Sequence, residues 1–382
     1  FITFDKLNLI NMKTNKLLKL LIIFTIITSC QDNNDNIVEI KDIIHTGDLI
    51  FRNQLEIDEF ILENENKEII EITGSLIFDS GLSNSDIFNI DTFRRLTRIG
   101  GDLKIINNSL IRDIGTFESL NEIGGDLDIF DSGLINLDGL INLNNIGGSL
   151  LIQHCSIGNI EGLGNLKNIG NDLILNLSNI ENLDCFKNVS SILSNLVILE
   201  MSNLKNIDGL PKINTQLKVL IISQTKLTNL HSTLSNIKNI GLLELVNNDN
   251  LSDLSVFNNI ESIDSDLSIR GNDKITNLSG FNKLTEIGGN LDIFGNINLQ
   301  EIENLLNLDK IDKNIYIKYN DELKSLDGLN NIESKQRRIE LIDNYKLDNF
   351  CSLNNQYNSG LVIFDIRGNL YNPNRSEEHT SE

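Results

Sequence analysis

The chain has 382 residues, a formal net charge of −22 and an isoelectric point near 4.6. A surface of this sign repels phosphates, which argues against nucleic acid as a partner. Apolar residues make up 40% of the chain, enough for a large core, whereas aromatic residues make up 5% and tryptophan is absent. Leucine and isoleucine must therefore fill the interior. The 4 cysteines do not have the number and spacing of a disulfide framework.

The N-terminal segment has the features of a secretory leader. Residues 1–11 precede the first methionine and are interpreted as untranslated. Residues 12–29 begin with lysines and continue into an apolar run, Leu20–Ile27, that is too short to span a bilayer as a helix. The run ends in Ile-Thr-Ser-Cys, which resembles the lipobox of bacterial lipoproteins. This predicts lipidation and cleavage at Cys30, which would attach the protein to a membrane; an ordinary signal peptide with an incidental cysteine is the alternative.

The next two segments lead into the main part of the chain. Residues 30–37 are polar and acidic, with too little apolar content to fold, and are predicted to be a tether. They also resemble the acidic stretch that directs some Gram-negative lipoproteins to the cell surface, although a solvated linker explains them equally simply. Residues 38–75 contain apolar residues without a regular period and are predicted to form N-terminal capping turns.

Residues 76–374 repeat a unit of 23–25 residues. A representative copy, Ile287–Ile311, begins with a glycine pair and continues into an apolar alternation, Leu291-Asp292-Ile293, that is typical of a short strand. The predicted strand-opening residues are Leu103, Leu127, Leu150, Leu173, Val197, Leu220, Leu243, Leu267, Leu291, Ile315, Ile339 and Phe364. A period this constant predicts copies stacked on one another, an all-β-dominated solenoid of about 13 turns.

A small polar residue follows each strand opener after five positions. This column comprises Asn108, Ser132, Cys155, Ser178, Ser202, Thr225, Asn248, Asn272, Asn296, Asn320, Asn344 and Asn369. Where the chain turns away from a strand, backbone groups lose their ladder partners and must find others. A buried asparagine can donate to one turn and accept from the next, so the column is predicted to form a structural ladder.

Two further columns accompany the strands. Glycine pairs such as Gly124-Gly125 suit either a positive φ or a close approach of two backbones. Asp102, Asp126 and Asp172 share one phase just before their strands. Stacked carboxylates could bind calcium, but capping of the turns is the favoured interpretation. The sequence has no zinc-ligand spacing, P-loop or nucleophile elbow, so no catalytic residue, metal or cofactor is predicted.

The repeated L-x-I-x-x-N pattern resembles the core of the leucine-rich repeat. Its combination with I-G-G-x-L-x-I and L-x-x-L-x-G-L is similar to the receptor L-domain type of repeat. The resemblance covers roughly Leu76 to Asn374 and implies a right-handed β-solenoid, as in receptor ectodomains and many bacterial surface proteins. Together with the leader, it implies a lipid-anchored protein at the outer membrane or cell surface of a Gram-negative bacterium.

The outward positions of the predicted strands contain an apolar stripe. Leu151, Ile174, Ile198 and Ile221 follow one another in consecutive turns, between charged residues on either side. Phe130, Phe294 and Tyr316 occupy outward positions in flanking turns. Contiguous exposed apolar residues usually mark an interaction site, so these seven are the candidate ligand-binding residues. A covering loop, or a general preference for isoleucine in this sequence, would equally explain the stripe.

Two functions remain open from the sequence. The first is binding or adhesion, in which the solenoid face engages a protein or glycan ligand. The second is a passive structural stalk for a functional domain lost by truncation, since residues 375–382, RSEEHTSE, resemble a translated sequencing adapter. An enzyme is not predicted, because no turn combines clustered carboxylates with Arg or Lys as polysaccharide cleavage requires. The sequence leaves the oligomeric state open.

Overall fold

A computed structural model describes residues 40–81, 86–213, 216–230, 232–333, 338–359 and 362–372. The predicted leader (12–29), the lipidation site Cys30, the tether (30–37) and residues 375–382 lie outside these ranges. Within them, no helix combines the length and the apolar character needed to cross a membrane.

Successive turns each contribute one strand to a long parallel sheet, here called the main sheet. Its strands are β2 (Leu49–Phe51), β4 (Leu76–Asp79), β6 (Leu103–Asn108), β8 (Leu127–Ser132), β10 (Leu150–Gln153), β12 (Leu173–Leu175), β13 (Asn195–Ile198), β14 (Leu217–Ser223), β15 (Asn239–Val246), β17 (Leu267–Arg270), β19 (Leu291–Phe294), β21 (Ile315–Lys318), β22 (Arg338–Ile342) and β23 (Ile363–Arg367). Neighbours pair opener to opener, as in Leu127 with Leu150 and Leu150 with Leu173.

Other strands, most of them two residues long, precede the main strands and also pair in parallel from turn to turn. They are β1 (Lys41–His45), β3 (Lys67–Ile72), β5 (Arg98–Ile99), β7 (Glu122–Ile123), β9 (Asn145–Ile146), β11 (Asn168–Ile169), β16 (Ser262–Ile263), β18 (Glu286–Ile287) and β20 (Lys310–Ile311). Strand β15 pairs with both β16 and β17, so it joins the two rows. Among the described residues, the helices are α1 (Gln54–Glu63) and α2 (Asn354–Ser359), and most turns also contain a short 3-10 segment such as Asp138–Leu140.

The core is one continuous column of leucine, isoleucine and phenylalanine. Each strand opener and the residue two positions later point inward, as Leu127 and Ile129 do, and both are fully buried. Nearly every turn adds the same set of inward positions to the column, which explains why the sequence has a constant period. The parallel stacked strands and the small amount of helix confirm the predicted β-dominated repeat solenoid.

The N-terminal end of the column contains larger side chains. Phe51, Phe78, Phe93 and Phe117 are buried there, with ring centroids of successive neighbours 5.7–6.2 Å apart. Helix α1 covers this region and is capped by Asn53, whose side chain accepts a hydrogen bond from the amide of Glu56 over 3.1 Å. Aromatic rings bury a large apolar area in few residues, which suits the turns that carry the helix.

Close backbone approach is the reason for the glycine column before the strands. The amide of Gly124 donates to the carbonyl of Ile99 over 2.8 Å, and a Cβ built on Gly124 would overlap the carbonyl oxygen of Gly100 in the preceding turn. The backbone at Gly124 is not left-handed. Of the two reasons predicted for the glycine pairs, close approach therefore applies at Gly124.

The predicted register is wrong by one residue at β13. Leu173 pairs with Leu196, so Leu196 opens this strand and Val197 is its outward residue. Ile198, predicted to face outward, is fully buried in the core. The sequence around it is a run of four apolar residues after Ser194-Asn195, without a glycine pair or an alternation to define the register.

Two predicted ladder residues, Ser178 and Ser202, are exposed. Because β13 opens at Leu196, the fifth residue after its opener is Met201, which is fully buried. After β12 the turn is tighter, and Leu177 enters the core instead of Ser178. The polar ladder is therefore interrupted in these two turns.

Candidate binding face

An asparagine ladder runs under the C-terminal half of the main sheet. The amide of Asn272 donates to Oδ1 of Asn296 over 3.0 Å, while Nδ2 of Asn296 donates to the carbonyl of Ile269 over 2.9 Å. Each asparagine thus holds its turn to the preceding one by two bonds. The pattern continues through Asn248, Asn320, Asn344 and Asn369, and Thr225 joins it by bonding to Oδ1 of Asn248.

The N-terminal half has a shorter and more varied ladder. Ser80 donates to Oδ1 of Asn108 over 2.8 Å, and Asn108 donates to the carbonyl of Phe78 over 2.7 Å. Ser132 caps the amide of Leu134, and the thiol of Cys155 donates to the carbonyl of Gln153 over 3.1 Å. Burial raises the pKa of the Cys155 thiol, so this residue stays a neutral donor.

A second ladder runs on the side where the strands begin. Oδ1 of Asp102 accepts from the amide of Asp126 over 2.8 Å, and Oδ1 of Asp126 accepts from the amide of Ser149 over 2.7 Å. Asp172 accepts from the amide of Asn195 in the same way, over 3.1 Å. Each carboxylate thus caps the next turn. In the described residues, no three His, Cys, Asp or Glu side chains are grouped so that they could hold a metal ion.

A column of left-handed residues follows the strands. It comprises Asn107, Asp131, His154, Glu200, Gln224, Asn247, Gly271, Gly295, Tyr319, Asp343 and Gly368, each four residues after its strand opener. The turn of β12 departs from this pattern, in agreement with its shorter path through Leu177. Left-handed backbone reverses the chain direction sharply, so these residues form one rim of the sheet face.

The outward face of the main sheet carries four aliphatic side chains in adjacent strands, here called the aliphatic stripe: Leu151, Ile174, Val197 and Ile221. Three of them are partly exposed and Val197 is 8% exposed. Leu199 is partly exposed two residues after Val197 on the same face. The residues beyond the ends of the stripe, in register with it, are Asp128 and Glu244.

The C-terminal half of the same face is charged. The guanidinium of Arg270 pairs with the carboxylate of Asp292, and the ammonium of Lys318 pairs with that of Glu340. The bond from Lys318 lowers the pKa of Glu340, whereas burial raises the pKa of Asp292 against the effect of Arg270. Side-chain charges on this half of the face are thus largely neutralised by neighbours in the next turn.

The predicted aromatic ligand residues lie in two separate places. Phe130 is in register with Gln153, beside the stripe, and its ring meets that of His154 with centroids 5.2 Å apart. Phe294 packs on Tyr319 over 5.0 Å in the C-terminal half.

Tyr316 also lies in the C-terminal half, in register with Asp292, and its ring lies 5.0 Å from the ammonium of Lys318. The structure therefore brings Phe130, Leu151, Ile174 and Ile221 together and leaves Phe294 and Tyr316 apart from them. Sequence reasoning missed Val197 and Leu199; a register anchored on the buried Leu196 would have found both.

A groove of about 300 Å³ lies near the 3-10 segments of two adjacent turns. It is lined by Asn229, Leu230, Ser232, Ser235, Asp253, Ser255 and Val256. Its carboxylate, Asp253, caps the amide of Ser255 over 2.8 Å. The groove is therefore part of the turn architecture.

No protein-family model matches the chain, and no curated protein matches its sequence. Among solved structures, the chain is similar to an internalin (InlF) from Listeria monocytogenes, at 13% identity and a TM-score of 0.35, over 73% of this chain and 82% of that one. It is also similar to TLR13 in its complex with ssRNA13, at 14% identity and a TM-score of 0.29, over 85% of this chain and 58% of that one.

Proposed function

From the leucine-rich-repeat fold of this chain, we propose a binding or adhesion protein whose sheet face engages a protein or glycan ligand. In this proposal the aliphatic stripe is the centre of the contact. Lipidation at Cys30 would display the solenoid at the outer membrane or cell surface of a Gram-negative bacterium. The observation that carries the proposal is the stripe: four adjacent strands present Leu151, Ile174, Val197 and Ile221 on the outward face.

The fold itself does not require aliphatic residues at these positions. Further along the same sheet, the equivalent positions hold Ser268, Asp292 and Glu340. Polar and charged side chains are therefore compatible with the main sheet at this position. An aliphatic run that packing does not demand is best explained by a partner that covers it.

The polar groups beneath and beside the stripe favour binding over catalysis. Asp126 and Asp172 accept hydrogen bonds from the backbone of the next turn, and Cys155 donates to a backbone carbonyl. Groups committed to such bonds hold the strands in place and are not poised to react. A rigid, preorganised face lowers the entropy lost on association.

The test compares a stripe variant with a matched control on immobilised matrix proteins and glycans. Ile174→Asp with Ile221→Asp places two charges on the stripe, and Asn258→Asp with Gln300→Asp places two charges at exposed positions away from it. We expect the stripe variant to lose at least tenfold in affinity for a captured ligand, about 1.4 kcal/mol. The control should bind like the wild type.

Circular dichroism is used to monitor thermal unfolding of both variants and shows whether the stripe variant is folded. If wild type and stripe variant bind the same ligands equally well, the stripe is not the contact. A passive stalk would then be the better interpretation.

A further inference from the structure

We propose that the ligand of the aliphatic stripe is a protein segment whose apolar side chains are flanked by lysine or arginine. This inference rests on the proposed function and specifies the chemistry of the partner. It follows from the charges around the stripe, which differ from those on the rest of the same sheet.

Carboxylates surround the stripe. Asp128 and Glu244 lie at its two ends in the same row of the sheet. Asp131 and Glu200 lie on the left-handed rim beside it, and both are exposed. In the part of the chain that the structure describes, none of these four carboxylates belongs to an ion pair. Lys104, which is in register with Asp128, makes its ion pair with Asp102 over 3.1 Å.

The C-terminal half of the face shows that the fold can neutralise such carboxylates internally. There, Asp292 and Glu340 receive cations from Arg270 and Lys318, which lie three residues after their strand openers. In the four stripe turns the equivalent positions hold Gln153, Asn176, Leu199 and Ser223, and in the next turn the position holds Val246. None of these can carry a positive charge. Glu200 accepts a hydrogen bond from the neutral amide of Asn176 over 3.2 Å. The stripe thus combines apolar surface with carboxylates that belong to no internal ion pair.

This combination selects the partner by two effects. Covering the aliphatic side chains supplies affinity in proportion to the apolar area removed from water. The surrounding carboxylates supply orientation and a faster encounter with cations, and the formal charge of −22 extends the attraction. An acidic glycan or a nucleic acid meets repulsion at the same place. A segment that carries aliphatic and basic side chains provides the apolar contact and also the complementary charge.

The length of the stripe suits a short extended segment. Four strands spaced about 4.8 Å apart give a row on the order of 14 Å long. An extended chain covers this distance with roughly four or five residues. Basic residues flanking such a segment would reach Asp128 at one end and Glu244 at the other.

The experiment uses three fluorescent peptides of equal length and the whole protein. The first has a leucine-isoleucine block flanked by lysines, the second has the same block flanked by glutamates, and the third has a serine block flanked by lysines. Fluorescence anisotropy at low and at physiological ionic strength measures their dissociation constants. We expect the first peptide to bind at least about tenfold more tightly than either of the others.

Three variants separate the two effects. Ile174→Asp should weaken the first peptide by about tenfold although it adds a negative charge, because it removes apolar contact. Glu200→Gln with Glu244→Gln should weaken that peptide severalfold and reduce its salt dependence. Asp365→Asn, which removes a carboxylate from the C-terminal half of the face, should leave binding unchanged. If Ile174→Asp does not fold, Ile221→Ser takes its place.

Two outcomes would overturn the inference. One is that the glutamate-flanked peptide binds as tightly as the first peptide. The other is that the first peptide binds Ile174→Asp more tightly than the wild type, which would indicate attraction to negative charge alone. The inference can also fail while the proposed function stands. If Ile174→Asp abolishes capture of a matrix ligand while Glu200→Gln with Glu244→Gln does not, the stripe binds a ligand of other chemistry and only the basic partner is excluded.

Discussion

Asn296 accepts a hydrogen bond from the backbone amide of Asn272 in the preceding turn, over 3.0 Å, and both side chains are fully buried. Such a bond reaches across the repeat boundary, where strand pairing has already ended. The Asn296 side chain thus supplies an acceptor to the amide of Asn272 and a donor to the carbonyl of Ile269, in a place that water cannot reach.

Replacing Asn296 by leucine should therefore destabilise the solenoid. The substitution leaves the amide of Asn272 and the carbonyl of Ile269 without their partners, at a cost of about 1–3 kcal/mol for each buried group. Chemical denaturation measures the change in the free energy of unfolding. Asn165→Leu is the control, because Asn165 is exposed and water can replace its bond to Ile141. Equal midpoints for Asn296→Leu and wild type would contradict a structural role for the ladder.

The glycine column offers a matched pair of substitutions. Gly124→Ala should destabilise by about 1–3 kcal/mol, because its Cβ would overlap the carbonyl oxygen of Gly100 and force two turns apart. Gly158→Ala should be neutral or stabilise by about 0.4–1 kcal/mol, since nothing lies within 4 Å of its Cβ and its φ is not positive. Thermal unfolding of both variants measures the difference. Similar effects at the two sites would argue against close approach as the reason for the column.

Alanine substitutions test the corrected register of β13. Ile198→Ala should cost about 2–5 kcal/mol, because it leaves a cavity in a fully buried position. Ile174→Ala should cost less than about 1 kcal/mol, since the side chain lies on the outward face and is partly exposed. Denaturant midpoints of the two variants separate the positions. The opposite order would restore Ile198 to the outward face.

The cysteines should differ in reactivity. Cys351 is exposed, whereas Cys155 and Cys185 are buried, and burial raises the pKa of Cys185 to about 12. We expect iodoacetamide at mildly alkaline pH to label Cys351 at once and the other two only after unfolding, as read by peptide mass spectrometry. Because a raised folded-state pKa leaves the unfolded chain to ionise first, the buried thiols should also lower stability as pH rises above the ordinary thiol range. Early labelling of Cys185 in the folded protein would contradict this.

Membrane attachment is predicted to depend on the sulfur of Cys30. Cys30→Ser removes the thiol that the lipobox-like sequence presents for acylation, so labelling with a radioactive fatty acid should disappear and the protein should leave the membrane fraction. Cys351→Ser is the control and should be labelled like the wild type. Continued labelling of Cys30→Ser would exclude this anchor.

The repeat could be predicted because nearly all of its turns use the same inward positions. Leu127 and Leu150 stand 23 residues apart and pair directly, so sequence spacing and strand register coincide. This relation fails only where the local pattern is ambiguous. Leu196, Val197 and Ile198 are all apolar, and Met201 occupies the ladder position without a polar atom to mark it. The side of the strand that each of them faces depends on its neighbours in space.

The charges on the face were beyond sequence reasoning for a different reason. Whether Asp292 is neutralised depends on Arg270, which belongs to the preceding turn and reaches Asp292 diagonally on the adjacent strand. Composition shows an excess of acid but does not distinguish paired carboxylates from Glu200 or Glu244. The aliphatic stripe was visible from spacing because its residues recur in one phase, whereas its acidic surroundings required the turns to be stacked.

The interruption of the ladder at Leu177 and Met201 has a consequence for how the molecule unfolds. The second ladder also stops here, at Asn195, because Val219 and Leu242 occupy the positions that would continue it. In repeat proteins, each repeat is coupled only to its neighbours. Missing bonds at one junction therefore weaken the coupling between the repeats before it and the repeats after it. Hydrogen exchange should therefore divide the solenoid into two blocks that open separately. The stripe crosses this junction, and a ligand bound there would join the two blocks into one.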